Sequence, residues 1–162
     1  MKRERSACHR KPRANIKVVE SETVPKTQIA RLFRMLDPGG GVEPLGDRIV
    51  EVPEDAANFE LRDSHATFLA YAPPGSIAKG EALAKGGGAV APCASCHGPG
   101  LKGVGPVPRI AGRSPSYIAR QLYDIQQNAR AGGASALMKP IVERLTADDI
   151  ISLAAYVGSR QP

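Results

Sequence analysis

The shortage of large apolar residues after residue 75 constrains the fold more than any other feature of the sequence. The chain has no Trp, and its three Phe all lie before residue 70. Residues 75–162 must therefore build a core from Leu, Ile, Val, Ala and the three tyrosines Tyr117, Tyr123 and Tyr156. A small domain with so thin a core usually needs a disulfide, a metal or a cofactor to stabilise it.

The cysteines do not suggest a disulfide framework. There are three, an odd number, and Cys93 and Cys96 are too close in sequence to brace a fold. The remaining one, Cys8, lies in a different part of the chain.

The net charge of +6 is concentrated at the N-terminus. Residues 1–13 hold six Lys and Arg residues against one Glu, so the rest of the chain is nearly neutral. This tail has no interleaved aromatic residues and no nucleic-acid-binding motif. We predict a disordered basic tail and no nucleic-acid partner.

Residues 14–74 show mixed patterns. Residues 16–20 and 48–52 predict short strands because they are rich in β-branched residues. Residues 26–36 place apolar side chains at helical spacing and predict a helix that ends at the glycines after Asp37. We interpret residues 14–74 as an irregular, linker-like arm with short strands and not as an independent domain.

Residues 75–162 show clearer helical signals. We expect three helices around a short helical turn at residues 92–97, joined by loops rich in Gly and Pro. The predicted N-terminal caps are Ser76, Ser114 followed by Pro115, and Thr146 with Asp149 three residues later. No run of apolar residues in the sequence is long enough to span a membrane.

The motif CASCH at residues 93–97 predicts the cofactor. Cysteines at i and i+3 project from one side of a helical turn, so Cys93 and Cys96 can bond to the two vinyl groups of one haem while His97 binds the iron. A thioredoxin-like redox pair would need a βαβ pattern, and a zinc site would need a second pair of ligands. We therefore predict one covalently attached haem c, with a zinc fragment or a chance match as the alternatives.

A second iron ligand is expected on the other face of the haem. Met138 lies in a loop before the last predicted helix, and a thioether there can complete a His/Met pair. The alternative is that Met138 only fills a gap in the core. Met35 lies in the predicted helix of the arm, where packing is the expected role.

Other residues are candidates for the surroundings of the haem. A ligating His usually donates its second ring N–H to a carbonyl, and Pro106 and Pro108 lie just downstream; we favour Pro106. Tyr117, Arg120 and Arg130 can donate to the haem propionates, although a solvated surface position is equally compatible with each.

The matching segments, residues 93–132 and 137–159, resemble a class I c-type cytochrome, in particular the second haem domain of bacterial two-domain dihaem cytochromes c. The resemblance implies a mainly α fold, with about three to four helices around a covalently attached haem in residues 75–162. It also implies iron ligation by His97 and Met138, and packing of Gly80 in the first helix against Tyr156 in the last.

The chain departs from that pattern in two respects. Residues 16–74 are similar to the segment that joins the two haem units, but the first haem unit has no counterpart, and residues 5–9 have Arg5 where its first cysteine would stand. Residues 1–13 also lack a signal peptide, whereas the resemblance implies haem attachment outside the cytoplasmic membrane. We therefore expect that the protein begins elsewhere than at Met1 or that the chain is a fragment, with a chain that never receives haem as the alternative.

These features predict a periplasmic electron carrier and not an enzyme. Its partners would be redox proteins that the sequence does not identify. The alternative is a haem-bearing subunit or domain of a larger oxidoreductase complex. A ligand-binding or peroxidase-like haem protein would require that Met138 is not bound to iron.

Overall fold

The computed structural model describes residues 14–30, 33–87 and 91–162. The basic tail, which includes Cys8, lies outside these residues, and the prediction of its disorder concerns residues that the structure does not describe. The strands are β1 (Ile16–Glu20), β2 (Thr23–Pro25), β3 (Thr27–Ala30), β4 (Phe33–Leu36), β5 (Val42–Pro44), β6 (Val50–Pro53) and β7 (Phe68–Ala72). The helices are α1 (Ala56–Glu60), α2 (Ser76–Ala84), α3 (Ala94–His97), α4 (Pro115–Gln126), α5 (Lys139–Val142) and α6 (Ala147–Ser159).

The strands form a layer beside the helices. The central sheet has the order β1-β7-β6, with β1 parallel and β6 antiparallel to β7. Side chains alternate between the two faces of a strand. Val50 and Val52 are buried against Val24 and Leu45 on one face, while Ile49 packs against the core of the helices. The strands β1 and β7 also contact α6.

The prediction of a mainly α fold is therefore not confirmed for the whole chain. Strands occupy much of residues 16–72, and helices dominate only from residue 76 onward. The strand predicted at 16–20 is confirmed as β1, and the one predicted at 48–52 is found as Val50–Pro53. Within the described residues, no helix combines the length and the apolar character that crossing a bilayer requires.

The helix predicted at residues 26–36 is wrong. Here β3 and β4 pair as antiparallel strands, from Thr27 opposite Leu36 to Ala30 opposite Phe33. The pairing continues a ribbon begun by β2 and β5, since the Lys26 amide donates to the Gly41 carbonyl. Ile29, which the helical pattern would bury, is 65% exposed. The ladder of backbone hydrogen bonds between distant segments outweighs the local periodicity.

Two of the three predicted caps are confirmed. Ser114 Oγ accepts from the Tyr117 amide, and Thr146 and Asp149 form a capping box. Ser76 does not cap α2, because the helix already includes Ser76 and its N-cap is Gly75, with φ +80°. Gly75 has no side chain to offer, and the carboxylate of Glu20 instead accepts from the Ile77 amide at 2.8 Å.

The helices α2 and α6 cross in close contact. A Cβ atom added at Gly80 would overlap the Ser152 carbonyl and lie 2.8 Å from Tyr156 Cβ, which confirms the expected pairing of Gly80 with Tyr156. Lys79 also pairs with Asp149 at 2.7 Å, and its ammonium lowers the pKa of that carboxyl. This crossing holds α2 against α6, which supplies Ile150, Leu153, Ala154, Tyr156 and Val157 to the core of residues 75–162.

Candidate functional site

Cys93, Cys96 and His97 lie on one helical turn. The His97 amide donates to the Cys93 carbonyl at 2.9 Å, so the two residues are one turn apart. Gly98 ends the turn with φ +74°, and a Cβ atom there would lie 2.5 Å from Val104 Cγ2. The turn thus requires glycine directly after the histidine.

The imidazole of His97 is fixed by one hydrogen bond. The ring is buried, at 9% exposure, and its Nδ1 lies 2.8 Å from the Pro108 carbonyl oxygen. A carbonyl can only accept, so Nδ1 carries the proton. The other nitrogen, Nε2, forms no hydrogen bond within the part of the chain that the structure describes. It is therefore the nitrogen available to bind iron.

The acceptor is Pro108 and not Pro106, which we favoured from the sequence. Val104 and Val107 exchange two backbone hydrogen bonds and close a tight turn, and Pro106 lies exposed at its tip. The chain then returns past His97 at Pro108. The choice between two prolines only two residues apart depends on this turn.

The segment after the turn is held firmly. The Leu101 carbonyl accepts from the amides of Ile110 and Ala111, and the Gly103 amide donates to the His97 carbonyl at 2.7 Å. Ala111 is fully buried. These contacts hold the chain on either side of the Pro108 carbonyl.

The two cysteine thiols differ in their surroundings. Cys93 is half-buried and packs against the core of the helical half, and burial raises the pKa of its thiol. Cys96 is exposed. Neither forms a disulfide, so both sulfur atoms are available for covalent attachment.

Met138 lies between the 3₁₀ turn Gly133–Leu137 and α5. It is half-buried and packs against the same core cluster as Cys93. The Met138 carbonyl accepts from the amides of Ile141 and Val142, which holds its backbone in place. Met35, on β4, belongs to the strand layer.

Residues 76–157, half of the chain, match the family model described as "Cytochrome C oxidase, cbb3-type, subunit III". The matched range contains the CASCH turn, Pro108 and Met138. The chain belongs to the class I c-type cytochromes. Proteins of this class carry a covalently bound haem c, and Cys93 and Cys96 are its attachment residues here.

Curated relatives agree with this assignment. The cytochrome is 30% identical to cytochrome c4 of Azotobacter vinelandii over 133 residues, which cover 73% of this chain and 63% of the relative. It is 34% identical to cytochrome c-554(548) of Halomonas halodenitrificans over 70 residues, 43% of this chain and 84% of the relative. A solved cytochrome c4 of Acidithiobacillus ferrooxidans has 31% identity and a TM-score of 0.48, covering 52% of this chain and 49% of the other. The cytochrome thus spans only part of the cytochromes c4 that it matches.

The site fits haem c on its own chemistry. It offers two free thiols three residues apart and an imidazole whose Nε2 has no partner among the described residues. The core cluster around it contains one aromatic residue within the described ranges, Tyr156. A large apolar macrocycle complements a core of this kind.

The three propionate candidates lie on α4 or just after it. Tyr117 is half-exposed. Arg120 pairs with Asp124 at 3.5 Å, and Arg130 donates to Gln121 Oε1. Both guanidinium groups are thus engaged with side chains of α4, and their contact with a propionate stays a prediction.

Arg109, directly after Pro108, and Arg113, five residues after it, carry positive charge that the sequence analysis did not single out. Burial lowers the pKa of Arg109, and the nearby charge of Arg113 lowers it further. Neither guanidinium forms an ion pair with any residue of the described ranges. From the sequence, these two arginines could have been identified by their position in the segment that supplies the hydrogen-bond acceptor for His97.

Proposed function

We propose that this cytochrome is a periplasmic electron carrier with one haem c, whose iron is bound by His97 Nε2 and Met138 Sδ. The observation that carries the proposal is the 2.8 Å contact between His97 Nδ1 and the Pro108 carbonyl, because it directs Nε2 toward a metal. The family supports the electron-transfer role. Its partners are then redox proteins that donate and accept single electrons.

Each residue has a distinct role in this proposal. Cys93 and Cys96 would tether the haem, and His97 and Met138 would bind its iron. Bound haem c supplies an iron that alternates between its ferric and ferrous states. If His97 and Met138 both bind the iron, no coordination position would remain open to a substrate, which favours a carrier over an enzyme.

The chain divides, in this proposal, into a haem domain at residues 75–162 and the strand layer before it. The strand layer contacts α6, and Glu20 caps α2. We therefore propose that residues 14–74 pack on the haem domain as a fixed layer. The same proposal includes binding of the haem propionates by Tyr117, Arg120 and Arg130.

Replacing Met138 with Ala tests the ligand set. In protein matured with haem, we expect the oxidised wild type to show the long-wavelength absorption band of thioether–iron ligation and Met138→Ala to lack it. The reduction potential should fall, because Met/His ligation raises it. The variant should also bind added imidazole, since a coordination position on the iron would become open.

The control is Met35→Ala, which removes a methionine from β4 and should leave the band and the potential unchanged. A Met138→Ala spectrum identical to that of the wild type would exclude Met138 as a ligand. If both spectra also lacked the thioether band, a peroxidase-like or ligand-binding haem protein would be the better assignment.

A second candidate is a haem-bearing subunit of a larger oxidoreductase, which the description of the matching family as an oxidase subunit favours. Gel filtration of the cytochrome from its native host distinguishes the two. A stoichiometric complex with a catalytic chain would favour the subunit, and elution of the cytochrome by itself would favour the free carrier.

A further inference from the structure

We propose that Glu51, on strand β6 outside the helical half, is a positioning residue for the iron ligand His97. It acts by holding the start of α4, and with it the segment that carries the Pro108 carbonyl. This inference rests on the proposed function, because it assumes that His97 binds iron.

The contacts of Glu51 connect the strand layer to α4. Its Oε1 and Oε2 accept from Ser114 Oγ at 2.9 and 2.8 Å, and Oε1 also accepts from the Ser116 amide at 2.7 Å. Ser114 is the N-cap of α4, and its Oγ accepts in turn from the Tyr117 amide. A carboxylate at this end of a 12-residue helix also interacts favourably with the helix dipole.

Glu51 lies on a strand that is packed on both faces. Ile49, two residues earlier and on the same face of the chain, packs against the core of the helical half. Val50 and Val52 on the opposite face are 4% and 1% exposed. Since β6 is packed on both faces, the Glu51 carboxylate has a fixed position and is not a mobile surface group.

The segment between Pro108 and Ser114 connects Glu51 to His97. At one end the Pro108 carbonyl accepts from His97, and at the other Ser114 donates to Glu51. Between them, the Gly112 amide donates to the Val157 carbonyl, and Ala111 has no exposed surface. A segment packed this closely moves as a unit, so a shift at the start of α4 is transmitted toward Pro108.

The expected effect on the reduction potential has a definite sign. The hydrogen bond from Nδ1 to Pro108 makes the imidazole a stronger electron donor, which favours the ferric state. Loosening that bond should therefore raise the potential. Removing the negative charge of Glu51 should raise it as well, so charge and positioning must be separated.

Two variants separate them. Glu51→Gln removes the charge but keeps an oxygen that can accept from Ser114 and Ser116, whereas Glu51→Ala removes both charge and acceptor. At a fixed ambient potential near the midpoint, we expect Glu51→Ala to raise the ratio of reduced to oxidised protein by about threefold relative to Glu51→Gln. Hydrogen exchange of the Ser116 amide should also be faster in Glu51→Ala than in Glu51→Gln.

The matched control is Glu54→Ala. The Glu54 carboxylate accepts from Thr67 Oγ1 at 2.6 Å within the strand layer, and it forms no hydrogen bond or ion pair with the described residues of the helical half. Its loss should leave the Ser116 exchange rate unchanged, and the rise in potential from the lost charge should be no larger than in Glu51→Gln. If Glu51→Ala fails to mature, Ser114→Ala provides the same test, with Ser116→Ala as its control because the Ser116 amide remains.

Equal potentials in Glu51→Ala and Glu51→Gln would overturn the inference and leave Glu51 as a helix cap only. In the fallback pair, equal potentials in Ser114→Ala and Ser116→Ala would have the same meaning. A wild type without the thioether band would instead overturn the proposed function, so the two failures are distinguishable.

Discussion

Replacing Cys93 and Cys96 together with Ala is expected to leave residues 75–162 largely unfolded. The core cluster of this half consists mainly of Ala, Val, Ile and Leu, with Tyr156 as its aromatic residue in the described ranges. The tethered haem supplies the large apolar surface that such a core lacks. Circular dichroism should show a loss of most helical signal, and thermal unfolding should lose its cooperative transition.

The control for this experiment is Cys8→Ala, which removes the third cysteine and leaves the CASCH motif intact. It should keep the colour, the helical signal and the melting temperature of the wild type. A double variant that is colourless but unfolds cooperatively with full helical content would show that the polypeptide forms its core without haem.

Replacing Gly80 with Ala is expected to destabilise the cytochrome by at least about 3 kcal/mol, because overpacking here involves backbone and not a flexible side chain. The new Cβ atom would overlap the Ser152 carbonyl and approach Tyr156 Cβ. The α2 and α6 axes must then move apart at their crossing. Chemical denaturation of the haem-loaded protein measures the loss.

Gly133→Ala is the matched control. A Cβ atom at Gly133 meets nothing within 4 Å, and the residue has no left-handed backbone conformation. Its free energy of unfolding should stay close to that of the wild type. If the two variants were equally stable, the close approach of α2 and α6 would not be required for the fold.

Local signals in the sequence predicted local features well. The CASCH turn, the cap at Ser114 and the capping box at Thr146 each depend on residues within four positions of one another. At that distance the chain has few alternatives, and the chemistry of each side chain settles the outcome. The pairing of Gly80 with Tyr156 came from resemblance to a family and not from local pattern.

Predictions that depended on distant contacts were less successful. Residues 26–36 have helical spacing, but Thr27–Ala30 and Phe33–Leu36 pair as the antiparallel strands β3 and β4, because β2 and β5 extend the same ribbon. Ser76 has the chemistry of a cap, yet Glu20, from β1, takes that role. A local window of sequence contains neither partner.

The sequence by itself determined the cofactor, its two attachment residues and the family, because these follow from the identity and spacing of a few side chains. Only the tertiary structure decided which proline carbonyl orients His97 and which carboxylates hold the starts of α2 and α4. Those choices depend on how the tight turn at Val104–Val107 and the strand layer bring together groups far apart in the chain, such as Glu51 and Ser114, 63 residues apart.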